Sequence, residues 1–84
     1  MLTEQAFARA AMLEESEPQA QALGYHADGT KTDRARFPNY TSGDKCGDCK
    51  LFETIAGEKF GGCKAFPDRL VAATGWCSAY EIAI

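Results

Sequence analysis

The sequence predicts a small, irregular, loop-rich α+β fold in which short helices and short strands or hairpins surround a compact stabilising group. The chain has 84 residues, enough for one domain, and a hydrophobic core of that size supplies only about 3–5 kcal/mol alone. Its 8 glycines favour turns over long regular elements. Its 4 cysteines are the residues able to add the missing stabilisation. We therefore expect a single domain covering residues 1–84.

The charge and hydropathy of the chain exclude several classes of protein. The net charge is −3 and the sequence pI is near 5.0, whereas a nucleic-acid-binding surface normally shows a basic patch. No stretch approaches the roughly 18 consecutive apolar residues of a membrane helix. The first residues also lack the charged and then apolar opening of a signal peptide. These features predict either a cytosolic chain or a mature exported one.

Two helices are predicted before residue 25. Residues 1–15 read as an N-terminal helical extension, because four apolar residues fall near one helical face: Leu2, Ala6, Ala10 and Leu13. A second short helix is expected to begin after Ser16 or Glu17, with Pro18 in its first turn. Gly24 is expected to end this helix in a left-handed conformation.

The remainder of the chain is rich in turn signals. Residues 26–45 contain Asp28-Gly29 and Ser42-Gly43-Asp44, which favour loops. Beyond them, the short apolar runs at 51–52 and 70–71 permit short strands or hairpins. We expect glycine and proline pairs, Gly61-Gly62 among them, to separate these strands.

The cysteines are spaced as Cys46-x2-Cys49-x13-Cys63-x13-Cys77, which leaves three interpretations. Disulfides are common in small exported domains, but a bridge across Cys46-x2-Cys49 would close a very tight ring. A structural zinc site usually has two closely spaced pairs, and this chain has one. A 4Fe-4S cluster is wide enough to accept single cysteines from different sides.

The surroundings of the cysteines favour the cluster and hence a metalloprotein fold. Aromatic and apolar residues lie near each cysteine in the sequence: Leu51, Phe52, Phe60, Phe66, Trp76 and Tyr80. Glycines beside the cysteines would let the backbone pass close to a bulky core: Gly47, Gly61, Gly62 and Gly75. We expect His26 and Asp48 to be solvated loop residues and not metal ligands.

The second half of the chain resembles the high-potential iron-sulfur protein (HiPIP) family. The match is Cys63-Lys-Ala-Phe66-Pro67-Asp-Arg-Leu-Val71-Ala-Ala-Thr-Gly75-Trp76-Cys77-Ser-Ala-Tyr80. The pair Cys46-Gly-Asp-Cys49 resembles the ligand pair of the family, and residues 17–25 resemble its short helix and the following tyrosine, Tyr25. The resemblance covers roughly residues 16–82 and fits residues 1–15 less clearly.

The resemblance implies a HiPIP-like fold around one 4Fe-4S cluster, bound by Cys46, Cys49, Cys63 and Cys77. It also implies an aromatic and apolar shell formed by Tyr25, Phe66, Trp76 and Tyr80. The implied function is that of a soluble one-electron carrier, not an enzyme, whose cluster cycles between its 3+ and 2+ core states.

The resemblance also implies a setting for that function. Members work in bacterial photosynthetic or respiratory electron transfer in the periplasm, so the chain would be a mature form without its leader peptide. The implied partners are a cytochrome c, a reaction-centre cytochrome or a terminal oxidase, with no nucleic acid and no membrane insertion. A monomer or weak homo-oligomer is expected.

Two other functions remain open at the level of sequence. A structural zinc module that binds another protein predicts a colourless, redox-silent protein. An iron-sulfur redox sensor predicts an exposed, labile cluster and a segment that binds a partner or DNA.

Overall fold

A computed structural model describes residues 11–83 and contains only short regular elements. Strand β1 covers Ala11–Met12, helix α1 covers Pro18–Leu23, β2 covers Phe52–Thr54, β3 covers Phe60–Cys63 and β4 covers Arg69–Ala72. Two single turns of 3-10 helix lie at Gly29–Lys31 and Cys46–Asp48. The expected small, irregular α+β fold is confirmed.

Helix α1 begins and ends where its local signals predict. Glu17 is extended at the N-cap, with φ −68° and ψ 143°, and Pro18 opens the first turn, where its missing amide proton costs nothing. Gly24 ends the helix with φ 68° and ψ 31°, and its amide donates to the carbonyls of Ala20 and Gln21. A residue without a Cβ is suited to this left-handed conformation.

The predicted helix over residues 1–15 is wrong in its described part, 11–15; residues 1–10 lie outside the described residues. Ala11 and Met12 form β1 and pair in parallel with Arg69 and Leu70 of β4. The Leu13 amide donates to the Leu70 carbonyl at 2.7 Å. Because β4 needs a partner along that edge, sheet pairing outweighs the local helix propensity of the alanines.

The four strands form one sheet in the order β1-β4-β3-β2. Strands β2, β3 and β4 are antiparallel, and Phe52 of β2 pairs with Cys63 of β3. Gly61 and Gly62, which were expected to separate strands, lie inside β3 instead. A Cβ on Gly61 would collide with the Glu53 carbonyl oxygen, so glycine permits close strand approach here.

The core lies between this sheet, helix α1 and the cysteine-bearing loops. Its largest fully buried side chains are Trp76, Tyr25, Phe66 and Val71. Across residues 11–83, no helix has the length and apolar character needed to cross a bilayer.

Candidate cluster-binding site

All four cysteines are buried, and none forms a disulfide. Three of them share one apolar group with Leu13, Ala20, Tyr25, Phe66 and Val71: Cys46, Cys63 and Cys77. Cys49 is 9% exposed. The disulfide interpretation therefore does not describe this fold.

Backbone hydrogen bonds hold the loop of Cys46 against the loop before Cys77. The Cys46 amide donates to the Gly75 carbonyl at 2.7 Å, and the Gly47 amide donates to the Ala73 carbonyl at 2.9 Å. The intervening turn is closed by the Cys49 amide, which donates to the Cys46 carbonyl at 2.9 Å. The turn that carries Cys46 and Cys49 is thus joined to the segment before Cys77 by main-chain hydrogen bonds.

Gly75 is required by the close approach of two loops. A Cβ there would lie 2.6 Å from the His26 carbonyl oxygen and 3.0 Å from the Tyr25 ring. The sequence suggested that this glycine makes room for an inorganic core. The structure shows that it makes room for neighbouring protein atoms.

Cys63 ends strand β3, and the chain turns immediately after it. The Phe66 amide donates to the Cys63 carbonyl at 3.0 Å. This turn brings the Phe66 ring back into the group of buried residues that contains the cysteine. The sheet register and the turn together fix both side chains.

Cys49 is held by the C-terminal end of the chain. It forms an isolated antiparallel bridge with Ile82, and the Lys50 amide donates to the Glu81 carbonyl at 2.7 Å. The Ala83 amide donates to the Asp48 carbonyl at 2.8 Å. The last described residues therefore pair with the backbone around Cys49.

Burial raises the pKa of three of the four thiols. Burial raises the pKa of the Cys77 thiol to about 11, and the nearby Cys63 and Cys49 raise it further. Burial also raises the pKa of the Cys46 and Cys63 thiols. The other three cysteines raise the pKa of Cys46 further. Four thiolates here would repel one another in a dry site, so a cationic centre must offset their charge.

The arrangement fits a cluster better than a single ion. Among residues 11–83, no three His, Cys, Asp or Glu side chains converge closely enough to hold one metal ion. A zinc site needs its four ligand atoms within about 2.3 Å of one centre. A cube of four irons accepts one thiolate at each iron, so its ligands stand farther apart.

Tyr25 and Phe66, two of the predicted shell residues, lie with the cysteines in the core. Tyr25 is 2% exposed and Phe66 is 1% exposed, and their rings meet edge to face with centroids 5.8 Å apart. Burial raises the pKa of Tyr25, and Cys46 and Cys77 are among the neighbours that raise it. Both rings therefore exclude water next to the cysteines.

Trp76 is fully buried but faces a different set of aromatic residues. Its ring meets Phe37 at a centroid distance of 6.0 Å and Tyr40 at 5.2 Å, both edge to face. It lies outside the apolar group that contains the cysteines. Its backbone nevertheless joins Cys77 directly and pairs with His26 in an antiparallel bridge.

Tyr80, the fourth predicted shell residue, is half-buried at the edge of the site. Burial raises its pKa, and the carboxylates of Asp44 and Asp48 and the Cys49 thiol also raise it. Its hydroxyl is therefore close enough to Asp44, Asp48 and Cys49 to be affected by their charges. Of the four predicted shell residues, this is the one in contact with solvent.

Several residues of the site have no clear signal in the sequence. Leu13 enters the core by way of β1, and Ala20 does so through helix α1. Leu23 and Ala79 pack on the same group from opposite ends of the chain. Phe37 and Tyr40, the partners of Trp76, lie in a segment that the sequence marks only as turn-forming.

Comparison with known proteins identifies the family. The sequence pattern of the family described as "High potential iron-sulfur protein" matches residues 12–83. The chain is 47% identical over 75 residues to the high-potential iron-sulfur protein of Ralstonia nicotianae, covering 87% of this chain and 72% of that protein. It is 42% identical over 68 residues to isozyme 1 of Ectothiorhodospira shaposhnikovii, covering 81% and 90%.

Solved structures agree with this fold. The crystal structure of the Rhodoferax fermentans high-potential iron-sulfur protein superposes with a TM-score of 0.82 at 35% identity, covering 88% of this chain and 99% of that one. The oxidised protein from Ectothiorhodospira vacuolata gives 0.78 at 36% identity, covering 87% and 99%. The chain therefore belongs to the high-potential iron-sulfur protein family, whose members bind one 4Fe-4S cluster and transfer electrons without catalysing a reaction on a substrate.

Proposed function

We propose that Cys46, Cys49, Cys63 and Cys77 each bind one iron of a single 4Fe-4S cluster, within one domain covering residues 1–84. The observation that supports this ligand set most strongly is the burial of four free cysteines, which come from one turn, the end of β3 and the loop after Gly75. Burial raises the thiol pKa of Cys46, Cys63 and Cys77, so a cationic centre that binds them as thiolates would stabilise this set.

The shell residues determine which oxidation states are accessible. When bound, the cluster supplies a one-electron couple. Tyr25 and Phe66 exclude water from the cysteines, and a dry site penalises the most highly charged state because solvation grows roughly with the square of the charge. The chain therefore favours cycling between the 3+ and 2+ core states over further reduction.

The cellular role that we propose is that of a soluble periplasmic electron carrier in a photosynthetic or respiratory chain. Its partners would be a cytochrome c, a reaction-centre cytochrome or a terminal oxidase. The edge around Tyr80 contains the carboxylates of Asp44 and Asp48, of which Asp48 Oδ2 lies 3.8 Å from Lys45 Nζ, and the exposed side chain of Ile82, which pairs with Cys49. A partner with a basic or apolar face complements this edge.

Low-temperature EPR of the purified protein tests the redox couple. We expect a brown protein that is EPR-silent as isolated and gains a spin-half signal after mild oxidation with ferricyanide. A signal that appears only after strong reduction would contradict the 3+/2+ assignment. A colourless protein, silent in both states, would contradict the cluster itself.

Chemical analysis tests the ligand set. We expect four irons and four acid-labile sulfides per chain, and loss of both in a Cys77→Ala variant that is compared with an exposed-site control, Ser42→Ala. Full iron and sulfide content in Cys77→Ala would show that this cysteine is not a ligand.

A further inference from the structure

Two arginines lie over aromatic rings that pack on Trp76, one ring buried and one half-buried. The Arg34 guanidinium carbon is 4.9 Å from the centre of the Tyr40 ring, and that of Arg36 is 4.7 Å from the centre of the Phe37 ring. Arg34 and Arg36 are exposed, whereas Tyr40 is 6% exposed. We call these four residues the arginine face.

The arginine face connects to Cys77 through one residue. The Phe37 and Tyr40 rings both pack edge to face on Trp76, and Trp76 is bonded covalently to Cys77. The rate of electron tunnelling falls exponentially with distance, and it falls more steeply across empty gaps than through packed or covalently bonded atoms. Arg34, Tyr40 and Trp76 therefore form a continuous route from solvent to a proposed ligand.

The local charge of this region is opposite to that of the whole chain. Residues 31–40 contain three cations, Lys31, Arg34 and Arg36, and one carboxylate, Asp33, so they carry +2 within a chain of −3. The Asp33 carboxylate accepts from the amides of Ala35 and Arg36, so it is turned toward its own loop. The rest of the chain therefore sums to −5.

The two arginines also lack the ion pairs that neutralise other cations. Lys45, Lys50 and Arg69 each lie within reach of a carboxylate. Among residues 11–83, no such ion pair involves Arg34 or Arg36. Their charges are available to an external anionic group.

We propose that the arginine face is a docking surface for an acidic protein that exchanges one electron with this chain, and that Tyr40 and Trp76 couple this surface to Cys77. This proposal rests on the proposed function and adds a second docking surface of opposite charge to the acidic edge around Tyr80. A donor and an acceptor of opposite charge would then bind at different places. One electron passes between the two proteins, and no proton or bond is transferred.

Paramagnetic mapping tests the surface independently of electron transfer. Hexacyanochromate(III), a redox-inert trivalent anion, is titrated into the ¹⁵N-labelled reduced holoprotein. We expect saturable broadening of amide signals centred on residues 34–40 and its loss in Arg34→Glu. Broadening centred on Lys50, Lys59 or Lys64, or broadening that does not saturate, would overturn the proposal.

Stopped-flow oxidation by ferricyanide tests the coupling, since this trivalent anion takes one electron and becomes ferrocyanide. We expect Arg34→Glu to slow oxidation at least about threefold at low ionic strength, and the difference to fade in high salt. Lys59→Glu makes the same charge change at another exposed cation and is expected to have a smaller effect. Equal slowing in both variants would overturn the proposal. Voltammetry checks that the reduction potentials of Arg34→Glu and Lys59→Glu are the same.

The failure of this inference can be separated from failure of the proposed function. Absence of the spin-half signal on oxidation would contradict the function whatever the mapping shows. An intact signal with equal rates in Arg34→Glu and Lys59→Glu would contradict the docking surface alone.

Discussion

The Tyr25 hydroxyl oxygen accepts a hydrogen bond from the Ala72 amide at 3.0 Å. Tyr25 follows helix α1 and Ala72 ends β4, so this bond joins the helix to the sheet beside the cysteines. The Tyr25 ring also packs on Phe66. One side chain therefore fixes two elements of the site and excludes water from it.

Replacing Tyr25 with Phe is expected to lower the free energy of unfolding by about 1–3 kcal/mol, because the Ala72 amide loses its acceptor inside the protein. Guanidinium unfolding of the holoprotein measures the change. Tyr40→Phe is the matched control, since the Tyr40 hydroxyl makes no hydrogen bond in the described part of the chain. Equal losses in both variants would contradict the importance of the Ala72 contact.

Replacing Gly24 with Ala is expected to destabilise the protein by more than the same change at Gly43. Both glycines have positive φ, 68° and 99°, which costs an L-residue about 1–2 kcal/mol. A Cβ on Gly24 would also collide with the Phe37 ring, whereas a Cβ on Gly43 would meet nothing within 4 Å. Thermal unfolding of the two variants compares the costs, and a larger loss at Gly43 would be inconsistent with the packing of Phe37.

Replacing Phe66 with Leu is expected to speed bleaching of the oxidised protein in air. The ring is 1% exposed, and the smaller side chain leaves a gap through which water reaches the cysteines, at a cost in stability of about 1–2 kcal/mol. The half-buried Tyr80 should show a weaker effect when changed to Leu. Absorbance after ferricyanide treatment follows the loss.

The control for this bleaching experiment is Met12→Leu, because Met12 is 42% exposed on β1. Unchanged bleaching in Phe66→Leu would show that the ring does not protect the cluster from water.

The Glu15 carboxylate is expected to make stability depend on acid pH. It accepts from the Ala27 amide at 3.1 Å and contacts the His26 ring at 2.8 Å, and these bonds hold its pKa below the usual 4.5. Its stabilisation is therefore fully present above pH 4.5 and is lost as the pH falls through the lower folded-state pKa.

A Glu15→Gln variant should accordingly lose less stability than wild type between about pH 6 and about pH 3. Because this group is largely solvated, the difference is expected to stay below about 1 kcal/mol. Urea unfolding across this range measures it, with Glu14→Gln as the control. A steeper acid loss in Glu15→Gln than in wild type would reverse the predicted sign.

Removing the cluster is expected to unfold the chain. Three of the cysteines belong to the main apolar group, and a domain of 84 residues buries too little surface to tolerate a vacated centre. Amide NMR dispersion after treatment with a mercurial reagent and a chelator checks this. A well-dispersed spectrum of the apoprotein would contradict the expectation.

The sequence predicts those features that depend on local signals. Pro18 and Gly24 define helix α1 because their backbone preferences act within one turn. Strand β1 could not be predicted in this way, because its partner β4 lies at the other end of the chain. The helical periodicity of an alanine-rich segment then gives the wrong element.

The same distinction applies to the site. The cysteines are recognisable by residue type and spacing, but their mutual approach depends on bonds such as Cys46 to Gly75. Trp76 is recognisable as a buried aromatic residue, but its contacts with Phe37 and Tyr40 arise from a loop without a periodic pattern.

The pairing of β1 with β4 has a consequence for how the protein is made. The Leu13 amide donates a hydrogen bond to the Leu70 carbonyl, and the Cys46 amide donates one to the Gly75 carbonyl. The segment around residues 70–75 must therefore be present before either contact can form. Contacts between such distant positions require loops to close first and are slow to form. A nascent chain therefore cannot complete the proposed ligand set until Cys77 has left the ribosome, so cluster insertion follows synthesis of the whole segment from β1 to Cys77.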